Sequence, residues 1–110
     1  MRKIKTALVL CAGFGKRLKP LTNKTPKPLL KIKNITLLEN TLNLLHKLNI
    51  KNVLINTFYL KNQIKDFIYK KNFELNIKII EENEIILDTG GGILNMISKT
   101  EDEDFITLNP

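Results

Sequence analysis

Residues 6–11 form an unbroken run of small and apolar side chains, Thr6, Ala7, Leu8, Val9, Leu10 and Cys11. Such a run predicts a strand buried on both faces of a parallel sheet. Residues 53–56, 77–80 and 105–108 are shorter apolar-rich segments and predict three further strands. Between the first two, Leu38, Leu42 and Leu45 recur at helical spacing, and Leu37, Leu44 and Leu48 broaden the stripe. Thr36 and Glu39 stand in a capping-box pattern ahead of it, so a helix is predicted over residues 37–48. Leu60, Ile64, Phe67 and Ile68 mark a second helix. Thr89 can cap a short third one that opens at Gly90, Gly91 and Gly92 and runs through Ile93, Leu94 and Ile97. Strands alternating with helices predict an α/β chain, a Rossmann-like three-layer sandwich with a mostly parallel sheet that stops after about four strands.

Residues 12–33 break the periodicity. They carry Gly13, Gly15, Pro20, Pro26 and Pro28 and are expected to form an ordered loop. At about twenty residues the loop exceeds ordinary connections, and loops of that length are usually functional or disordered. In parallel sheets ligands bind beyond the carboxyl ends of the strands, where the strand order reverses. The loop leaves the carboxyl end of the first strand and residues 88–92 follow the third, so both are expected to face one crevice.

Charge sharpens this picture. Of the 18 lysines and arginines, ten lie in residues 1–38, which hold no acid; the other 8 share the remaining chain with 11 acids. An acid-free third implies an anionic partner. Nucleic acid fits poorly, because aromatic residues are 6% with no tryptophan and offer no stacking platform. The apolar stretch of residues 7–12 is too short for a secretory core, and no segment reaches the ~18 apolar residues of a membrane span. The single cysteine, Cys11, lies in an apolar run and is expected to be a buried structural thiol. No disulfide and no membrane segment point to a cytoplasmic protein. His46 has no second ligand nearby and is expected at the surface. At 110 residues the chain is one domain at most.

The candidate anion site is the glycine turn. Gly13 and Gly15 can supply positive φ and let backbone N–H groups approach a phosphate without a Cβ in the way. Two common phosphate motifs are excluded. A dinucleotide fingerprint needs a small residue where Leu18 stands, and a P-loop needs a wider glycine spacing and a Gly-Lys-Ser/Thr ending, against Gly15, Lys16 and Arg17 here.

What remains is a longer pattern: Gly13, Gly15, Arg17, Leu18, Pro20, Leu21 and Thr22, then Pro26, Lys27, Pro28 and Leu29. It resembles the signature of the sugar-1-phosphate nucleotidyltransferases. The resemblance continues through Asn56, through Asp88, Thr89, Gly90, Gly91 and Gly92, and into residues 105–109. It implies transfer of a nucleoside monophosphate from a nucleoside triphosphate to a sugar 1-phosphate, with release of pyrophosphate. Arg17 and Lys27 are the catalytic candidates: a guanidinium for the β- and γ-phosphates, and an ammonium between the nucleotide α-phosphate and the sugar phosphate. Ala12, Gly13, Gly15 and Lys16 are the triphosphate-binding candidates. Glu82, Asn83, Thr89, Gly90 and Gly91 are those for base and ribose. Residues 88–93 look closest to the N-acetylmuramate-1-phosphate uridylyltransferase branch, which favours UTP; the mannose- and heptose-1-phosphate guanylyltransferases, which imply GTP, are close.

The family is typically more than twice as long, and its Mg²⁺ aspartates correspond to positions beyond Pro110. No metal ligand is assigned in this chain, since Asp102 and Asp104 precede the last strand and belong at its opposite end. The resemblance therefore covers the N-terminal, nucleotide-binding part, expected to need a complementing polypeptide for turnover, while the open edge at the fourth strand invites a homo-oligomer. A nucleotide-binding remnant without catalysis is the alternative reading, and a basic nucleic-acid-binding module ranks last.

Overall fold

The computed structural model describes residues 4–13, 16–81, 96 and 104–110. The apolar run becomes β1 (Thr6–Leu10), followed by single 3-10 turns at Lys16–Leu18, Leu21–Asn23 and Lys27–Leu29. Next come β2 (Lys31–Ile32), β3 (Ile35–Thr36), α1 (Leu37–Lys47), β4 (Asn52–Thr57), α2 (Lys61–Lys70), β5 (Asn76–Glu81) and β6 (Phe105–Leu108). The sheet runs β5-β4-β1-β6 with every pairing parallel. From β1 the chain builds outward through β4 to β5, and β6 adds on the other side. The strand order therefore reverses between β1 and β6, and β6 is an edge of the described sheet.

Alternation along β1 and β4 divides the core. Ala7, Val9, Cys11, Val53 and Ile55 face Leu38, Leu42 and Leu45 of α1 and Ile64 and Ile68 of α2. Leu8, Leu54 and Ile80 face the other way, onto the helical residue Met96. Two helices cover one face of the sheet, and Met96 packs on the other. The predicted third helix, with Thr89 as its cap, otherwise lies outside the described residues.

Local chemistry sets the ends of α1. The Thr36 hydroxyl accepts the Glu39 amide at 3.0 Å. At the other end Asn49 takes φ 61°, its N–H reaches the His46 carbonyl, and the Ile50 N–H reaches that of Leu45. This pair of bonds is a Schellman ending, with an asparagine where glycine is usual.

The loop differs from expectation. Residues 12–33 hold three 3-10 turns and the first strand of a hairpin, because Lys33 and Asn34 both have positive φ (52° and 70°) and close β2 onto β3 with Ile32 opposite Ile35. Two residues in the left-handed region give a tight turn whose twist matches the strands it joins. His46 is exposed, with Nε2 at 3.2 Å from the Glu74 carboxylate.

Candidate functional site

β1 stops at Leu10 because the next amide leaves the ladder. Leu10 lies opposite Asn56 in the β1–β4 register. The buried Asn56 side chain extends one residue further and its Oδ1 accepts the Cys11 N–H at 2.7 Å. The chain then turns out over the carboxyl end of the sheet. Burial pushes the Cys11 thiol far above its ordinary pKa, so it is a protonated core group.

Two further side chains hold the loop from the β4–α2 side. The Tyr59 hydroxyl donates to the Thr22 carbonyl at 2.6 Å, and Gln63 Nε2 donates to the Lys24 carbonyl at 2.7 Å. The last 3-10 turn rests on the start of α1, where the Leu37 N–H reaches the Leu30 carbonyl at 2.9 Å.

The candidate residues fall on this scaffold as follows. Arg17 sits in the first 3-10 turn with its side chain in solvent. Lys27 opens the third, half-buried between the buried Pro26 and Pro28. The Leu29 N–H bonds the Pro26 carbonyl at 2.9 Å and the Leu30 N–H that of Lys27 at 3.0 Å, which fixes the backbone on both sides of the ammonium. Among the described residues neither Arg17 nor Lys27 has a side-chain partner, and no acid in residues 1–38 could neutralise them. Ala12 is buried and Gly13 exposed at the mouth of the turn. Lys16 begins the first 3-10 turn; only its backbone is described.

One expectation is corrected here. Gly13 does not occupy the left-handed region, and a Cβ placed on it would meet nothing within 4 Å. Its backbone is open for want of neighbours, not because of an unusual conformation. Gly15, Glu82, Asn83, Thr89, Gly90 and Gly91 lie outside the described residues. Asp104 immediately precedes β6, at the end of the sheet away from the loop, and Asp102 is outside the described residues.

Sequence reasoning passed over Tyr59 and Gln63 and took Asn56 only as part of a resemblance. Asn56 carried a usable signal, a carboxamide at the end of an apolar strand, since a buried amide needs a partner. Tyr59 and Gln63 carried none, because their acceptors are main-chain carbonyls 37 and 39 residues away.

Among the described residues no group of three or more His, Cys, Asp or Glu side chains gathers as a metal site, and no helix is long and apolar enough to cross a membrane. A groove of about 890 Å³ lined by Ile4, Lys5, Leu48, Asn49, Ile50, Lys51 and Ile106 opens at the amino ends of β1 and β4, remote from the loop.

A family model described as nucleotidyl transferase matches residues 6–109. The chain is 36% identical over 103 residues to the bifunctional protein GlmU of Methanocaldococcus jannaschii, covering 94% of this chain and 24% of that protein. It is 33% identical over 104 residues to the N-acetylmuramate alpha-1-phosphate uridylyltransferase of Neisseria meningitidis, covering 94% of this chain and 45% of that one. The fold is similar to the crystal structure of HddC from Yersinia pseudotuberculosis, with a TM-score of 0.86, 29% identity and coverage of 96% and 47%; the same protein has been crystallised with GMP-PN. The chain spans less than half the length of each of these proteins.

Proposed function

The chain belongs to the nucleotidyl transferase family, and from that premise we propose that residues 1–110 form the N-terminal nucleotide-binding part of a cytoplasmic enzyme of sugar-nucleotide synthesis. The reaction transfers a nucleoside monophosphate from UTP or GTP to a sugar 1-phosphate. An oxygen of the sugar phosphate attacks the α-phosphorus, the bond to the bridging oxygen of the β-phosphate breaks, and pyrophosphate leaves with that electron pair. The observation that carries this reading is a guanidinium and an ammonium without partners among the described residues, on an acid-free loop at the strand-order reversal.

Each residue has a part in the proposal. The amides of Ala12, Gly13, Gly15 and Lys16 hold the triphosphate. Arg17 grips the β- and γ-phosphates and offsets charge on the departing pyrophosphate. Lys27, braced by Pro26 and Pro28, bridges the two reacting phosphates and aligns them for in-line transfer. Glu82, Asn83, Thr89, Gly90 and Gly91 read base and ribose. Mg²⁺ carried on the triphosphate is the proposed cofactor. Among the described residues no cluster of carboxylates gathers to hold the ion.

Calorimetry with UTP and GTP tests the reading. Both are expected to bind more weakly as salt is added, and Arg17→Ala to cost roughly 1.5–3 kcal/mol through a lost charged hydrogen bond. UTP is expected to bind in preference to GTP, in keeping with residues 88–93. Pyrophosphate release is then assayed with sugar 1-phosphates, for this chain alone and with a polypeptide supplying the remaining length of its relatives; turnover is expected only in the second case. Absence of nucleotide binding, or binding indifferent to Arg17→Ala, overturns the proposal.

A further inference from the structure

We infer that Asn56, Tyr59 and Gln63 are positioning residues for the nucleotide loop: one connection, from the end of β4 into α2, sets where the loop amides and Arg17 stand before a triphosphate arrives. The inference rests on the function proposed above and adds to it a device outside the loop itself.

All three contacts run from a side chain to loop backbone. Asn56 Oδ1 accepts the Cys11 N–H at 2.7 Å, the Tyr59 hydroxyl donates to the Thr22 carbonyl at 2.6 Å, and Gln63 Nε2 donates to the Lys24 carbonyl at 2.7 Å. They fall on both sides of Arg17, so the segment that carries the guanidinium is fixed at its entry and its exit. Because they grip main-chain groups, they hold the path of the loop whatever its side chains are, and leave the cations without competing partners.

The backbone of the connection is arranged for this grip. Leu60 takes the left-handed conformation, φ 51°, which a residue with a Cβ adopts only at a steric cost. Its carbonyl accepts the Gln63 N–H at 3.1 Å. This turn separates Tyr59 from Gln63 and lets both reach the loop. Neither the β4 ladder nor the buried face of α2, made by Ile64 and Ile68, needs a tyrosine hydroxyl or a glutamine amide at these positions. A loop ordered in advance loses less conformational entropy on binding, and that difference appears directly in affinity.

The test uses the full chain, with MgUTP and MgGTP as probes and four variants. Tyr59→Phe and Gln63→Ala each remove one donor and keep the fold. Each is expected to raise the dissociation constant about fivefold, the effect of one lost hydrogen bond, and to speed amide hydrogen exchange in the described loop residues 16–24. Ile68→Val destabilises the core by a similar amount, and Tyr69→Phe removes a hydroxyl from the exposed side of α2; both are expected to leave affinity and loop exchange unchanged. Wild-type affinity in Tyr59→Phe and Gln63→Ala, or equal weakening in Ile68→Val, overturns the positioning role while Arg17→Ala still reports on the loop. If the wild-type chain binds neither nucleotide, the proposed function fails, and loop exchange alone decides whether the connection orders the loop.

Discussion

The Glu39 amide and the Glu39 carboxylate serve different partners: the amide donates to the Thr36 hydroxyl, and the carboxylate pairs with the Lys71 ammonium at the end of α2. Only half of the capping box is therefore used as a cap, and the other half ties the start of α1 to the end of α2. Thr36→Ala is expected to destabilise the fold by about 1 kcal/mol, the usual cost of losing such a cap. Glu39→Gln is expected to cost less, since its ion pair is partly solvated. Urea unfolding of both variants checks the order; a larger loss for Glu39→Gln contradicts it.

Lys65 on α2 and Glu81 at the end of β5 are 2.9 Å apart. Their hydrogen bond, reinforced by the opposite charges, lowers the Glu81 pKa and raises that of Lys65. The lowered carboxyl contributes stability above the ordinary glutamate value of 4.5, and the contribution fades as pH falls through the folded value. The raised ammonium contributes below the ordinary lysine value of 10.5, and that contribution fades as pH rises through its folded value. Wild type is thus expected to exceed Glu81→Gln in stability between those limits and to converge with it in acid. A difference that does not shrink as pH falls below 4.5 contradicts the assignment.

Thr57 ends β4 fully buried, and its hydroxyl has no hydrogen-bond partner among the described residues. A hydroxyl in that position carries a desolvation penalty with nothing to offset it. Thr57→Val keeps the shape and removes the penalty. Stabilisation of about 1 kcal/mol is expected, read from the urea midpoint at constant slope.

Cys11 is buried at the top of β1, with its thiol held in the protonated form. Alkylation by iodoacetamide at about pH 8 is expected to be slow in the native protein and fast in urea, because only the thiolate reacts. Rapid native labelling would show that the loop opens far more readily than its three backbone anchors allow.

Much of the fold was legible in the chain because it is written in local terms. Short apolar runs marked β1, β4, β5 and β6, the Leu38, Leu42 and Leu45 stripe marked α1, and Thr36 marked its start. The loop was legible as chemistry, through its glycines, prolines and cations. Its conformation was not. Single 3-10 turns leave no periodic trace, and the Lys33–Asn34 turn lacks the glycine that usually announces one.

The sequence by itself determined the four strands of the main sheet, the helices α1 and α2, the charge asymmetry and the identity of Arg17 and Lys27 as candidates, since each depends on neighbours a few positions away. Tertiary structure decided the strand order β5-β4-β1-β6, which puts β1 between β4 and β6 and the loop at the strand-order reversal. It also decided what holds that loop. Asn56 reaches Cys11 across 45 positions and Tyr59 reaches Thr22 across 37. Their acceptor or donor is a main-chain group that every residue carries, so no pattern of side chains could have identified it before the strands were paired.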